Sequence, residues 1–534
     1  MNYPSPLTST STCRIAFAVS AVTLAMAMLA LSGCVNYHGI TSDKALDQPA
    51  QFETAQSIPA QDGQWPTLDW ASQFGDPQLP KLIDEALADN PDIAQAAARI
   101  ARASAYIETS RATLLPKVGV GYSWNRELFP QNTLYPPPYG GTWYSENTVL
   151  ANATWELDLW GKNRQRLAQA VSQQKAAQAE MQQARITLAA AVARTYNQLA
   201  QLYALREIAV NEIDNRRTIG QIADERLTSG LDTNVEREIA RGNIATSQTN
   251  LSQINGQIQI VRYQLGALLG KGPDRGLQIA QPVLNPVETM ALPDNLPADL
   301  VSRRPDIVAA RWQVEAAMHN VKEAKAEFYP DINLAASFGF DAFGWGALLN
   351  TLSRQVSAGP AIHLPLFDAG ALRGQLRGRY ADFELDVANY NQTLISAFND
   401  IATQVASIRS ADKQLVDALR ALDASTVAWQ LAVIRYRAGL SNQLQVLIAD
   451  QGRLAADQTV TNLKMQRRDM QMALIKALGG GFDAKPMGLT PPDEIGGEHT
   501  ARATTPAPTP ASAPLSSSVT LPAVPPDSSP PSPL

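Results

Sequence analysis

Asn90-Pro91-Asp92-Ile93 recurs as Arg304-Pro305-Asp306-Ile307. Twenty-five residues after each of these prolines stands another, in Leu115-Pro116-Lys117-Val118 and in Tyr329-Pro330-Asp331-Ile332. The offset is 214 in both cases (305 − 91 and 330 − 116). Further along, Arg226-Leu227-Thr228-Ser229-Gly230-Leu231 matches Arg435-Tyr436-Arg437-Ala438-Gly439-Leu440, and Leu269-Gly270 matches Leu478-Gly479, both at an offset of 209. Self-similarity at a period above 200 residues is a duplication, not a short-repeat solenoid. The five-residue difference must fall between Pro116 and Gly230. Its expected place is a loop over Arg126–Glu146, with Pro136-Pro137-Pro138 and Gly140-Gly141, because loops absorb insertions cheaply.

Each copy reads as helix, two strands, long helix, turn, helix. In the first copy Val118, Val120, Tyr122 and Trp124 alternate with Gly119, Gly121 and Ser123. Val149, Ala151, Ala153, Trp155, Leu157 and Leu159 do the same over 149–159. In the second copy the alternating set is Ile332, Leu334, Ala336, Phe338 and Phe340. A fourth strand, Val356, Ala358, Ile362, Leu364 and Leu366, is interrupted by Pro360. Period two with one apolar face is a half-buried strand. Such runs suit a wet soluble sheet and a tilted strand crossing a bilayer equally well.

Asn163–Arg226 contains no proline, and its only glycine is Gly220. Good helix formers dominate it, and a helix of that extent is about 90–100 Å long. In the second copy Val387, Leu394, Ile401, Ile408, Leu415 and Leu422 fall every seven residues, with Phe398, Val405 and Leu419 between them and Asn391 and Asp412 breaking that intervening position. Sustained heptads indicate coiled-coil packing. The first copy is weaker: Leu188, Val192, Leu199 and Leu202 fit, and Arg185 and Thr195 do not. Gly230 and Gly439 are expected to end the long helices in the left-handed conformation, sending the chain back to Leu269 and Leu478.

Four amphipathic strands cannot close a barrel, since small barrels begin at about eight strands. An open edge in hydrocarbon leaves backbone groups unsatisfied at several kcal/mol each. Transmembrane strands would therefore require oligomers, while the long helices would project as a tube of paired coiled coils.

The ends of the chain read differently. Ile15–Leu31 is uncharged and apolar or small, Arg14 precedes it, and Leu31-Ser32-Gly33-Cys34 follows, which describes a secretory signal over 1–33. A transmembrane anchor is the competing reading, for which the run is marginally short. Leu-Ser-Gly-Cys also resembles the bacterial lipobox, which implies a covalent lipid (diacylglycerol and an N-acyl chain) on Cys34. By resemblance to lipoprotein sorting, Val35 is not the Asp that retains lipoproteins at the inner membrane, which implies the outer membrane as destination. From Asp483 to Leu534 the chain is rich in Pro, Ala, Ser and Thr and has no aromatic residue, which predicts a disordered or extended tail.

Composition excludes several classes. The chain has 534 residues, 45% hydrophobic, with 44 Lys+Arg against 50 Asp+Glu, a formal −6. No nucleic-acid footprint exists. Cleavage after Gly33 would remove Arg14 and leave 43 − 50 = −7. Two cysteines exclude a disulfide scaffold or a cysteine-built zinc array. The apolar content excludes full-length disorder. The four histidines, His38, His319, His363 and His499, form no ligand pair, and no phosphate-binding loop is present, so the reading is of a non-enzyme without cofactor.

The duplicated Pro-Asp-Ile and Leu-Pro/Tyr-Pro segments, the Arg-x-x-x-Gly-Leu turns and the stretch Phe74-Gly75-Asp76-Pro77 to Asn90 resemble the TolC-like outer-membrane efflux proteins, in particular the NodT-like lipoprotein branch serving RND-type pumps. The resemblance covers roughly Thr67 to Gly481. It implies a mainly α protein with a membrane β-barrel: a homotrimer of four strands per protomer, a twelve-stranded barrel and a periplasmic α-barrel. It also implies an exit duct for drugs or toxic compounds, joined to an inner-membrane pump by a periplasmic adaptor. A duct for type I-like protein secretion shares this architecture; a non-channel coiled-coil lipoprotein is the different alternative. The expected organisation is a lipidated segment at 34–66, first repeat at 67–285, second repeat at 286–481 and tail from 482.

By the same resemblance, Arg226, Gly230, Leu231, Arg435, Gly439 and Leu440 mark tips that meet the adaptor. Family members often carry an aspartate ring six and nine residues past the second glycine. Here those positions are Gln445 and Ile448. Asp450 lies eleven past, and Glu236 occupies the six position in the first copy. The gate candidates are therefore Leu444, Ile448, Asp450 and Glu236, with an apolar iris of Leu444 and Ile448 preferred, because hydrophobic constrictions gate by dewetting.

Overall fold

The computed structural model describes residues 36–54, 56–59, 61–132, 137–285, 291–293 and 296–492. The expected signal, Cys34 and the chain beyond 492 lie outside the described residues. The first copy runs α1 (Gln78–Asp89), α2 (Pro91–Ala112), β1 (Lys117–Leu128), β2 (Trp143–Glu156), α3 (Lys162–Thr228) and α4 (Asn234–Leu268). A short α5 (Pro273–Leu277) follows. The second copy runs α6 (Leu296–Arg303), α7 (Pro305–Ala326), β3 (Asp331–Phe343), β4 (Arg354–His363), α8 (Ala371–Arg437) and α9 (Gln443–Ala477). Matching helices have equal lengths: 22 residues for α2 and α7, 67 for α3 and α8, 35 for α4 and α9. At 1.5 Å per residue, α3 and α8 each span about 100 Å.

The duplicated motifs are junctions. Pro91 and Pro305 open α2 and α7, where a missing N–H costs nothing. The residue before each proline reaches across to the end of the returning helix. Asn90 Nδ2 donates to the Leu268 carbonyl at 2.8 Å, and an Arg304 guanidinium N–H donates to the Ala477 carbonyl at 3.1 Å. The offsets are the sequence offsets, 304 − 90 = 214 and 477 − 268 = 209. Gly270 and Gly479 sit at positive φ at these junctions, where a Cβ would strike the backbone of Asp89 or Arg303.

The heptad is realised in part. Val387, Leu394, Phe398, Ile401, Val405 and Ile408 are buried between α7, α8 and the N-terminal segment. Beyond them Leu415 and Leu422 are half-buried, and Leu419 is 43% exposed. In the first copy Leu188, Val192, Leu199 and Leu202 are buried together with Tyr196.

The strands form one antiparallel sheet in the order β1-β2-β3-β4, leaving β1 and β4 as edges. Three expectations are corrected. The ladder continues through Arg126↔Ser145 to Leu128↔Trp143, so the expected loop at Arg126–Glu146 shrinks to 129–142. The five extra residues do lie in this hairpin: Pro116 to Gly161 is 45 positions, and Pro330 to Gly370 is 40. β2 ends at Glu156 and β4 at His363, so Leu157, Leu159, Leu364 and Leu366 are not strand. Pro360 interrupts nothing, because β4 is an edge strand with one ladder partner.

The expected tail at 482 is also corrected in its first part. Phe482, Ala484 and Leu489 are buried against Ala179 of α3 and Val308 and Ala309 of α7. Trp312 Nε1 donates to the Leu489 carbonyl at 2.8 Å. Three apolar side chains with a groove to enter outweigh the breaking effect of the local prolines.

Candidate functional site

Register places every alternating apolar set on the same face of the sheet. Val120, Ala151 and Phe338 are neighbours across β1, β2 and β3, and Phe338 opposes Val356 on β4. Tyr122, Val149 and Phe340 form the next row. This face lies open: Val118, Val120, Val356 and Ile362 are each between 64% and 76% exposed. The expectation of half-buried strands thus fails for β1 and β4, whose residues are exposed throughout, while Val149, Ala151 and Ala153 of β2 are half-buried and Trp345 lies 5.6 Å from the Tyr122 ring. The opposite face presents Gly119, Gly121, Ser123, Asn152, Asn333, Ser337, Gly359 and Ser357. Ser337 and Ser357 hydroxyls pair across the strands at 2.8 Å.

Aromatic residues gather at the ends of the strands. At the helix end Trp160 stacks on Tyr329 (centroids 4.8 Å, planes 19° apart) and donates through Nε1 to the Pro330 carbonyl at 2.9 Å. Trp155 Nε1 donates to the Leu114 carbonyl at 3.0 Å. At the hairpin end stand Trp124, Trp143 and Trp345, each more than half exposed. Indoles with an apolar body and a bonded N–H are the side chains that settle at a membrane–water boundary. No helix among the described residues is long and apolar enough to cross a membrane.

The far end of the molecule is built by the two glycine turns. Gly230 (φ +70°) and Gly439 (φ +75°) close Schellman motifs, with Leu231 N–H on the Arg226 carbonyl at 2.8 Å and Leu440 N–H on the Arg435 carbonyl at 2.9 Å. Leu231 and Leu440 are 64% and 71% exposed, and Arg435 is exposed. Arg226 is not. Its guanidinium grips both carboxylate oxygens of Asp232 at 2.9 and 3.0 Å, donates to the Tyr436 carbonyl at 3.1 Å and lies 4.7 Å from the Tyr436 ring centre. Tyr436 Oη donates to Asp232 at 2.7 Å. The Arg226 hydrogen bonds hold the Asp232 carboxyl below the ordinary carboxylate range, and burial beside that carboxylate pushes the Tyr436 phenol up. Arg226 was expected at a partner surface; its place is an internal lock between the first hairpin and α8. The reason is the buried, fully accepting Asp232 six residues on. Asp232 and Tyr436 escaped the sequence reading, because a lone carboxylate in a turn and a tyrosine near a helix end have no period.

The gate candidates separate. Leu444 and Ile448, one turn apart on α9, are 61% and 62% exposed. Asp450, a gate candidate two residues off the family position, is fully buried. It accepts from Arg453 at 2.9 Å, and Arg453 also reaches Glu212 of α3 at 3.2 Å. Arg216 pairs with Glu212. Burial, and then the Asp450 charge, raise the Glu212 carboxyl. Arg453 on one oxygen and Arg216, 3.8 Å from the other, hold Asp450 in a link between α3 and α9, so it is withdrawn as a gate. Glu236 is withdrawn as well: it completes a capping box with Thr233, accepting from the Thr233 hydroxyl at 2.5 Å and from its N–H at 2.9 Å, which hold the carboxyl below its ordinary value.

Residues 36–52 run along α8, with a single 3-10 turn at Pro49–Gln51. Arg373 donates to the carbonyls of Asn36 and His38, Ser42 Oγ to Glu384 at 2.7 Å, and the Asp47 N–H is received by Asn391 at 2.9 Å. Phe52 meets Phe398 at 5.3 Å. Tyr37 packs edge-on against Phe328 and bonds Tyr329 at 3.0 Å, so the segment begins beside the aromatic residues at the foot of the sheet.

The sequence model of the family described as outer membrane efflux protein matches residues 82–271 and 296–480. The fusaric acid resistance protein FusA of Burkholderia cepacia is 35% identical over 365 residues, 66% of this chain and 68% of that one. The multidrug resistance outer membrane protein MdtP of Shigella flexneri is 29% identical over 465 residues, 86% and 95% of the two chains. The outer membrane protein VceC of Vibrio cholerae superposes with a TM-score of 0.73 at 34% identity, covering 78% of this chain and all of that one.

Proposed function

The chain belongs to the outer membrane efflux protein family, and from that premise we propose how its geometry makes an exit duct. It is an outer-membrane channel of an efflux system and not an enzyme. The observation that carries the reading is an open four-stranded sheet, apolar on one face and, among the described residues, unpaired at both edges, continuous with helices about 100 Å long. In hydrocarbon those edges must be satisfied, and copies of the chain satisfy them for one another. Three copies give twelve strands with the apolar face toward lipid and the polar face toward a bore. Below the membrane the helices continue the tube through the periplasm.

The finer assignments follow. The exposed turns at Leu231, Arg435 and Leu440 are the surface offered to a periplasmic adaptor, which joins the duct to an inner-membrane pump of RND type. Leu444 and Ile448 form an apolar iris at that end. Cys34 bears diacylglycerol and an N-acyl chain. The support is the docking of Asn36 and Tyr37 at the foot of the sheet, which leaves two residues between Cys34 and the aromatic boundary. The relatives named for multidrug and fusaric acid resistance point to drugs or toxic organic compounds as cargo.

Deletion of the gene and scoring of susceptibility across chemically varied compounds tests the reading. Increased susceptibility, restored by the intact gene and not by one carrying Val120→Asp, is expected. An unchanged profile, with only an exported protein missing from the medium, would replace drug efflux by protein secretion.

A further inference from the structure

Resting on the duct reading, we propose that the bore side of the hairpin end is a binding site for lipophilic organic cations, built from an aromatic cluster and three carboxylates. On β1 the bore face holds odd-numbered residues, on β2 even-numbered and on β3 odd-numbered. Glu127, Tyr144, Glu146, Asp341 and Phe343 therefore all stand on it, within the last rows before the loops. Phe129 and Tyr139, from the 129–142 loop, join them. Tyr144 and Phe343 ring centres lie 5.0 Å apart, Phe129 lies 5.8 Å from Tyr144 and 6.0 Å from Phe343, and Tyr139 lies 5.6 Å from Tyr144. These rings are not a sealed core: Phe343 and Tyr139 are 46% and 44% exposed.

The carboxylates are interleaved with the rings. Glu127 is the cross-strand partner of Tyr144, and Glu146 is the partner of Phe343. Asp341 is two residues from Phe343, opposite Thr148. Their neighbours on this face are neutral, with Asn125 donating to Glu127 at 3.4 Å and Thr148 to Asp341 at 3.4 Å. Along the four strands the bore face carries Lys117 and His363, both at the opposite, helix end, and no basic residue between them and the hairpins. The nearby Arg126 stands on the other face, 5.8 Å over the Trp143 ring.

Aromatic faces attract cations through the ring quadrupole, most strongly where water is partly excluded, and adjacent carboxylates add a field of the same preference. An aromatic wall alone would take any apolar solute, and carboxylates alone would gather inorganic cations. Interleaved, they select solutes that are both apolar and positive. Three copies place three such clusters around the outer mouth, so cationic cargo meets a last binding station before release. Rings of acidic side chains give cation preference to pores generally.

The test uses the full-length protein in detergent, with tetraphenylphosphonium and its near-isosteric anion tetraphenylborate as probes, titrated calorimetrically. Assembly of each variant is checked by its gel mobility with and without heating. Wild type is expected to bind tetraphenylphosphonium at least about tenfold tighter than tetraphenylborate. Neutralisation by Glu127→Gln, Glu146→Gln and Asp341→Asn together is expected to remove that preference. Tyr144→Leu with Phe343→Leu, which keeps apolar volume without the ring face, is expected to weaken tetraphenylphosphonium about fivefold or more. Equal binding of the two probes by wild type, or undiminished cation binding in the leucine variant, would overturn the site. Planar-bilayer conductance is read in parallel. Conductance with no cation preference sinks the site alone; cation preference without conductance leaves the site and sinks the duct.

Discussion

Arg226, four residues before the glycine of the first turn, lies over the ring of Tyr436, three residues before the glycine of the second, at 4.7 Å. With Asp232 as the shared acceptor, this pair couples the two hairpins of one protomer at their tips. Both Arg226 and Asp232 are close to nine-tenths buried at the side chain, so their charge-assisted bonds are only weakly screened by water.

Removing one partner therefore frees the tip. Asp232→Asn keeps the shape and removes the charge, at a cost of about 1–2 kcal/mol. Because 1.4 kcal/mol is a factor of ten, the open fraction of single channels in planar bilayers is expected to rise roughly tenfold. Tyr436→Phe, which loses one hydrogen bond and keeps the ring over Arg226, is expected to act in the same direction and less strongly. A wild-type opening frequency in both would show that the lock holds structure without holding the duct shut.

Acidification should act oppositely on the two links. Asp232 has a folded pKa below its unfolded value, so its contribution is present above the unfolded value and is lost as pH falls through the folded one. Glu212 has a raised folded pKa, so the link between α3 and α9 is strongest below the unfolded carboxylate value and weakens as pH rises through the raised one. Amide exchange around Glu212 is expected to slow as pH is lowered into that window, after correction for intrinsic rates. Exchange at the Gly230 turn should rise only at lower pH still.

The iris is tested by Leu444→Ser. Replacing an exposed apolar ring by hydroxyls should let water persist in the constriction, raising the residual closed-state current several-fold. An unchanged closed-state current would assign Leu444 to packing between helices or to a partner.

Substitutions on the two faces of the sheet should differ. Phe338→Arg places a charge toward lipid near mid-strand, where the cost is about 2–4 kcal/mol per protomer, repeated three times in the assembly. Heat-resistant oligomer is expected to vanish. Ser357→Arg, on the bore face, should leave assembly intact and alter ion selectivity. Equal loss in both would mean that the sheet does not meet lipid on the assigned face.

Removing the thiol separates the two attachments of the N-terminal segment. Cys34→Ser is expected to abolish incorporation of labelled palmitate. Docking of residues 36–52 on α8 should survive, read as unchanged protection of the Asp47 N–H bonded to Asn391. Continued labelling would place the lipid elsewhere.

Much of the fold could be read directly from the chain, for a physical reason. Helix and strand periods, glycine turns and the spacing of prolines are local, and duplication printed each twice at constant offsets. The alternation in 118–124 and 332–340 fixed which side chains share a face, since strand geometry allows no other outcome. The heptad from Val387 to Ile408 named the buried seam of α8. The iris candidates Leu444 and Ile448 were legible as an apolar pair one turn apart.

Pairings between distant residues were decided only in three dimensions. No local rule says that Arg226 will find Asp232 and Tyr436, that Asp450 will be buried by Arg453 and Arg216, or that Asn90 and Arg304 will cap helices that end 178 and 173 residues later. Charged side chains have many possible partners, and the choice depends on which helices lie side by side. Glu236 shows the reverse case: the local pattern Thr233-x-x-Glu236 already spells a capping box, which consumes the carboxylate whatever its place in the family pattern. Sequence period thus determined the elements and their apolar faces. Only the packing of α3, α8 and α9 decided which charges face a channel and which hold its wall together.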